Sequence, residues 1–274
     1  MSEVCGPIAF FDSGYGGLTI MDSVRRLLPQ YDYIYLGDNA RNPYGTRSFD
    51  VVYQYTLECV NKLFSLDSPL AIIACNTASA KALRTIQQND LPRIDASRRV
   101  LGVIRPSVEA IGEYTKTGYV GVFATQGTVD SLSYPMELQK IRPDITVVQQ
   151  ACPMWVPLVE NSEYMDEGAD YFVKKYCDAL MAKSPMIDVV ILACTHYPLL
   201  LPKIKQYLPK NIKVICQGDI VAKSLENYLQ RHPEMEERLT KGGSVKFLTT
   251  ENPHKFKFTA KVFFQGDLDV QQIV

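Results

Sequence analysis

Hydrophobic and polar positions along the chain fall into short apolar runs that alternate with longer amphipathic stretches. Ile8–Phe11 reads as a strand, followed by a glycine-rich turn and a helix to about Leu28. Tyr33–Leu36 is a second strand. Ser48 is placed to cap a helix running to about Phe64, with Val51, Tyr55, Val60 and Phe64 among its apolar positions. Leu70–Ala74 is apolar throughout, as a strand buried on both faces should be, and Ala78–Gln88 reads as a helix. Val100–Ile104 is a further strand. The pattern then starts again. Pro106 suits the first turn of a short helix, Tyr119–Phe123 is a strand ending in a Gly/Thr turn, and Ile145–Val148 is another strand. Asp166–Ala182 reads as a helix and Val189–Ala193 as a buried strand. Helices are expected over Leu199–Leu208 and Ile220–Gln230, a last strand over Val245–Leu248, and a helix opened by Pro253 within Asn252–Phe264. Alternation of this kind predicts an α/β protein with mostly parallel sheets flanked by helices.

The two halves look related. Ile72-Ile73-Ala74-Cys75-Asn76-Thr77 has its counterpart in Ile191-Leu192-Ala193-Cys194-Thr195-His196, 119 residues later. More loosely, Phe11-Asp12-Ser13-Gly14 corresponds to Ala124-Thr125-Gln126-Gly127, 113 residues later. Near-equal offsets point to an internal duplication. The expected organisation is two pseudo-symmetric α/β lobes, residues 1–104 plus 218–274 and residues 105–217, with the active site in the cleft between them.

Length and composition agree with this reading. A chain of 274 residues with 46% hydrophobic and 22% charged residues can build two modest lobes, each with a core. A net charge of −1 without a dense Lys/Arg block gives no support to nucleic-acid or membrane-surface binding. No apolar run approaches the roughly 18–20 residues that span a bilayer. Glu3 without a basic stretch argues against a signal peptide. Seven cysteines without dense spacing point to a reduced, cytoplasmic setting rather than a disulfide framework, and most free thiols are small buried hydrophobes. Cys5, Cys59, Cys152, Cys177 and Cys216 are expected to be dispensable for any chemistry.

Cys75 and Cys194 are different, because each ends a buried strand directly before a helix, where ligands bind in open α/β sheets. A thiolate is favoured near a helix N-terminus, and a depressed pKa would poise it as a base near neutral pH. One thiol in each of two facing lobes is the arrangement that inversion at carbon requires. One thiol removes a proton from one face while the other delivers a proton to the opposite face. Ser13, Asn76, Thr77, Thr125, Thr128 and Thr195 are short polar side chains in the predicted strand-end turns. They lie near Gly14, Gly16, Gly17, Gly45 and Gly127, which let backbone N–H groups approach an anion. Each of these residues is equally at home as an ordinary cap or turn former. Asp12 could accept a proton or orient a thiol, and His196 is the one histidine beside a candidate thiol. Glu160 has less to single it out.

At these residues the sequence resembles the glutamate racemase family of the aspartate/glutamate racemase superfamily. The matching segments are Phe11-Asp12-Ser13-Gly14-Tyr15-Gly16-Gly17-Leu18-Thr19, Leu36-Gly37-Asp38 with Pro43-Tyr44-Gly45, and Ala74-Cys75-Asn76-Thr77-Ala78. They continue with Thr125-Gln126-Gly127-Thr128, Val156-Pro157-Leu158-Val159-Glu160 and Ala193-Cys194-Thr195-His196-Tyr197-Pro198. The resemblance implies a pocket between two lobes, with neither pyridoxal phosphate nor metal. It implies Cys75 and Cys194 as acid/base thiols, assisted by Asp12 on one side and by Glu160 and His196 on the other. Ser13, Pro43, Tyr44, Gly45, Asn76, Thr77, Thr125, Thr128 and Thr195 would bind the substrate, together with Asp12 and His196. The implied substrate is glutamate, and the implied role is supply of D-glutamate for peptidoglycan. Association as a homodimer is compatible with the resemblance. The sequence departs from the family pattern at Ile104-Arg105-Pro106-Ser107, at Gly218-Asp219 and over Phe256–Val274.

Two other readings compete. Gly14-x-Gly16 after a strand, with Asp38 ending the next, suggests a nicotinamide-dependent oxidoreductase, but Thr19 stands where the fingerprint needs its third glycine. Cys194 and His196 could begin a zinc site, but no second Cys/His pair completes it. A non-enzymatic binding module is a further alternative, and within the superfamily the alternatives are aspartate racemisation and an arylmalonate-decarboxylase-like activity.

Overall fold

A computed structural model describes residues 4–273, so the expectation built on Glu3 lies outside the described residues. The strands are β1 (Ile8–Asp12), β2 (Tyr33–Gly37), β3 (Leu70–Ile73), β4 (Arg99–Gly102), β5 (Tyr119–Ala124), β6 (Thr146–Ala151), β7 (Val189–Ala193), β8 (Lys213–Ile215), β9 (Val245–Thr249) and β10 (Val270–Gln272). They form a six-stranded sheet in the order β10-β9-β2-β1-β3-β4 and a four-stranded sheet in the order β6-β5-β7-β8. Every strand pairing in both sheets is parallel. The centre of the first sheet, β2-β1-β3-β4, has the same order as the whole of the second. In both, the third strand in chain order, β3 or β7, leads into a cysteine.

β1, β2, β3 and β7 are buried along their full length, because helices cover both faces of each sheet. Ser48 caps the Phe49–Phe64 helix by accepting from the Val51 N–H. The buried stripe of that helix is Val52, Thr56, Cys59, Val60 and Leu63, so Val51 and Tyr55 are less buried than the pattern suggested. The helix expected over 78–88 begins at Asn76 and runs on through a π-turn at Ile86–Asp90 to Ile94. Ile104 was expected to end a strand; instead β4 stops at Gly102, and Ile104 opens the Ile104–Ile111 helix with Pro106 in its first turn. Helices at Gln126–Asp130, Ser133–Ile141 and Trp155–Glu160 were not anticipated. The last strand is β10 rather than β9; it pairs with β9 and extends the first sheet.

After β8 the Gly218–Arg231 helix packs Val221, Ala222, Leu225 and Leu229 inward, at the i, i+4 spacing of one helical face, against the Gly17–Leu27 helix of the first sheet. The two sheets share a core on this side, which runs from Phe10, Leu18 and Met21 to Phe123, Trp155, Tyr197 and Leu200. Trp155 is fully buried, with ring centroids of Phe123 and Tyr197 each 4.8 Å away. Truncating such a side chain costs about 3–5 kcal/mol. The opposite faces have separate cores, one around Val52, Leu63 and Ile73, the other around Val108, Val122 and Ile191.

Candidate active site

Strand ends from both sheets converge on one cavity of about 110 Å³. That is room for a small molecule rather than for a single water. Ser13 follows β1, Cys75 follows β3, Thr125 follows β5, Cys152 follows β6 and Cys194 follows β7, and all five line it. Pro43, Tyr44, Gly45, Asn76, Thr77, Thr195 and His196 line it as well. Asp12, Glu160 and Thr128 do not; they stand one layer behind. A larger cavity of about 660 Å³ opens elsewhere on the molecule, away from both cysteines.

Cys75 is the N-cap of the helix that starts at Asn76, and its Sγ accepts from the Ala78 N–H at 3.5 Å. Ser13 Oγ lies 3.4 Å from the same sulfur. The thiol is nevertheless not depressed, as its position before a helix suggested. Burial pushes it up to about 12, aided by the neighbouring Asp12 and opposed by Ser13 and the Ala78 N–H. Desolvation outweighs the helix terminus because the residue is only 6% exposed. Asp12 is itself fully buried, and burial raises its carboxyl against the pull of His196 and the Gly14 and Gly17 N–H groups. Its Oδ2 accepts from Gly14 at 3.0 Å.

The Cys194 side is built differently. Its Sγ lies 3.9 Å from His196 Nδ1, and His196 Nε2 lies 3.0 Å from Glu160 Oε1. Burial opposes the imidazolium, but Cys194 and Glu160 outweigh it and push His196 up to about 10. Burial would raise Glu160, but His196 and Asn42 hold it below its ordinary value. Gly16 is required here by close approach: a Cβ at that position would sit 2.2 Å from Thr195 Oγ1 and 2.5 Å from His196 Nδ1.

The threonines form a hydroxyl cluster between the lobes. Thr77 Oγ1 lies 2.9 Å from Thr125 Oγ1, which lies 3.1 Å from Thr128 Oγ1. Thr125 also caps the Gln126–Asp130 helix, so cap and ligand roles are not exclusive. Two side chains expected to face a substrate are committed elsewhere. The Asn76 amide donates to Gln217 Oε1 and accepts from Tyr134 OH, each at 2.7 Å, although the residue lines the cavity. The Tyr44 hydroxyl donates to Asp38, although the residue lines the cavity. Asp38 is fully buried and also takes Arg41 Nε at 2.7 Å and Thr250 Oγ1 at 2.9 Å, so it offers no carboxylate to a nucleotide ribose.

Several residues here escaped the sequence reading. Asn42, Cys152, Val156 and Pro157 line the cavity. Val156 and Pro157 lie within a segment quoted for the resemblance, but Asn42 and Cys152 carried no signal. Among the described residues, no group of three or more His, Cys, Asp or Glu is placed to hold a metal ion, so Cys194 and His196 do not begin a zinc set. No helix among them is long and apolar enough to cross a membrane.

The profile of the Asp/Glu/Hydantoin racemase family matches residues 18–225. A glutamate racemase from Roseobacter denitrificans is 39% identical over 96% of this chain and 98% of its own length. Another, from Persephonella marina, is 44% identical over 74% of each chain. Among solved structures, a glutamate racemase isoform from Bacillus anthracis has a TM-score of 0.89 at 32% identity, covering 98% of this chain and 97% of that one. The Francisella tularensis glutamate racemase in complex with D-glutamate has a TM-score of 0.86 at 31% identity, with the same coverage. With its two parallel sheets and a cysteine at matched strand ends of each, the chain belongs to the Asp/Glu/Hydantoin racemase family, in its glutamate racemase branch, and is an amino-acid racemase.

Proposed function

We propose that this racemase interconverts L- and D-glutamate by proton transfer between two thiols, Cys75 and Cys194. The observation that carries the reading is that both thiols line one small cavity, from corresponding strand ends of two sheets. Glutamate is favoured by the full-length glutamate racemase relatives, one of them solved with D-glutamate bound.

In one direction a thiolate takes the α-proton: an S–H bond forms, the Cα–H bond breaks, and its electron pair passes into the adjacent carboxylate. The opposite thiol then gives its proton to the other face of the α-carbon and is left as the thiolate. The reverse reaction exchanges the roles. Such a cycle needs one thiol protonated and one ionised. Burial keeps Cys75 protonated, and the His196 imidazolium places a positive charge beside Cys194, with Nδ1 3.9 Å from its Sγ. Ser13 and Asp12 would then assist Cys75, and His196 and Glu160 would assist Cys194. The Thr77 and Thr125 hydroxyls, backed by Thr128, and the backbone N–H groups around Asn76 and Thr195 offer donors for the substrate carboxylates.

On this reading the first lobe comprises residues 1–104 and 218–274 and the second comprises 105–217. Both thiols come from one chain, so a homodimer is not needed to complete the site. The product D-glutamate would serve peptidoglycan synthesis in a reducing cytoplasm, consistent with seven cysteines of which none forms a disulfide. The test is circular dichroism of L-glutamate, and separately L-aspartate, incubated with protein exhaustively treated with chelator and given no cofactor. The glutamate signal should decay to zero and the aspartate signal should persist. Persistence of the glutamate signal, or activity restored only by zinc or pyridoxal phosphate, would refute the proposal.

A further inference from the structure

Asn42 lies on the segment between β2 and the Phe49–Phe64 helix of the first sheet, and its Nδ2 donates to Glu160 Oε1 at 2.7 Å. Glu160 ends the Trp155–Glu160 helix next to the second sheet, so this bond crosses the cleft. The oxygen it reaches is the one that His196 Nε2 meets at 3.0 Å, and the other nitrogen of that ring faces Cys194 Sγ. An ionised carboxylate only accepts, so only the amide nitrogen of Asn42 can face it.

The side chain is held in place rather than merely near. Arg41 and Tyr44, on either side of it, are both tied to the buried Asp38. Gly45 accepts from the Gly127 N–H at 2.8 Å, and Lys81 Nζ donates to the Arg47 carbonyl at 2.5 Å. On another side stands Gly14, where a Cβ would lie 3.3 Å from Asn42 Cγ and Nδ2. The amide is therefore confined between the Gly14 backbone and the carboxylate.

We propose that Asn42 is a positioning residue for the Cys194 half of the reaction: it fixes Glu160 from across the cleft and so sets the imidazole that serves Cys194. The inference rests on the two-thiol reading. Asn42 does two things to Glu160. It holds the same oxygen that meets His196 Nε2, and it stabilises the charged carboxylate, keeping the proton on His196. The titratable groups facing Glu160 are His196, Asp12 and Tyr15, and of these only His196 donates to the carboxylate.

The test compares the unaltered enzyme with Asn42→Leu, which keeps the bulk and removes the donor, and with Asn42→Asp, which sets a second carboxylate against Glu160. L- and D-glutamate are equally stable, so kcat/KM must fall by one factor in both directions, roughly tenfold for loss of a hydrogen bond to a charged group. Two further readouts distinguish positioning from simple substrate contact. The acid limb of the pH–rate profile moves to higher pH, further for Asn42→Asp, because Glu160 is protonated more easily. The α-deuterium isotope effect rises for the enantiomer whose proton Cys194 removes and falls for the other, because only one transfer has slowed.

Isotope effects and an acid limb unchanged from the unaltered enzyme would overturn the inference, as would isotope effects that move together. Failure of the two-thiol reading looks different, since the unaltered protein would then either not racemise glutamate or carry protium into the first product formed in heavy water. In that event the Glu160 carboxyl titration, followed by NMR without substrate, still decides. Asn42→Leu should raise it, and an unmoved titration overturns the role.

Discussion

Cys75 loses more to burial than Ser13 and the Ala78 N–H return to it, whereas Cys194 has a histidine as partner and that histidine has a carboxylate. On the proposed mechanism each thiol serves one face of the substrate, so neither could stand in for the other. Cys75→Ala and Cys194→Ala should each cut racemisation by about 10²–10⁴-fold, the usual contribution of a general acid/base group. Cys5, Cys59, Cys177 and Cys216 lie away from the cavity, and their alanine variants should stay within a few-fold of the unaltered enzyme. Cys152 does not belong with them. It lines the cavity at the end of β6, so Cys152→Ala should alter KM more than kcat. Steady-state assays of the seven variants check the assignment, and a dispensable Cys75 or Cys194 would refute it. The two thiols were legible in the sequence because a strand-end motif repeats. Their environments were not, since a sequence does not report burial, and burial decides the state of Cys75. Nor could Asn42 be read: its partner Glu160 is 118 residues away, and an isolated asparagine in a turn has an ordinary role of its own.

The strand ends depend on the helices packed behind them. The Gly17–Leu27 helix begins so close to Thr195 and His196 that no side chain fits at Gly16. Gly16 is the N-cap and already has right-handed helical dihedrals open to alanine, so Gly16→Ala should leave the helix intact. It should, however, push His196 away from Cys194 and Glu160, and a displacement of about 1 Å at a reacting group can cost about 10²-fold. The expected outcome is a folded protein by circular dichroism with racemisation lowered to that extent; near-normal turnover would show that the close approach is not needed. Legibility at this scale followed burial. β1, β2, β3 and β7 are buried on both faces, so they read as unbroken apolar runs. β8 has only three residues, and β10 buries only Val270. The Ser133–Ile141 helix buries only Tyr134 and Leu138, so its periodicity is weak, and Pro157 made the Trp155–Glu160 segment look like a loop.

At the scale of the whole molecule, two sheets of matching strand order face one cavity and share a core along one side. A buried polar network also ties them together: Asn76 with Gln217 and Tyr134, and Gln217 with Ser107 Oγ at 2.7 Å. The residues of that network come from the helix after Cys75, the two crossings between the sheets and the Ser133–Ile141 helix, so it holds the Cys75 side in register with the second sheet. The repeat seen in the sequence thus corresponds to a repeat in topology, whereas the network that joins its halves has no local signature.

The central claim is that the two halves act as opposed acid and base, and heavy water tests it most directly. If one thiol removes the α-proton and the other returns a different proton, the first D-glutamate formed from L-glutamate carries solvent deuterium at the α-carbon in nearly every molecule. The remaining L-glutamate stays almost unlabelled at early conversion, and the same pattern holds when the reaction starts from D-glutamate. A single base reaching both faces would carry protium across. Mass spectrometry of the separated enantiomers at early conversion reads the difference. The account predicts fully deuterated product in both directions, and substantial protium in the first product would contradict it.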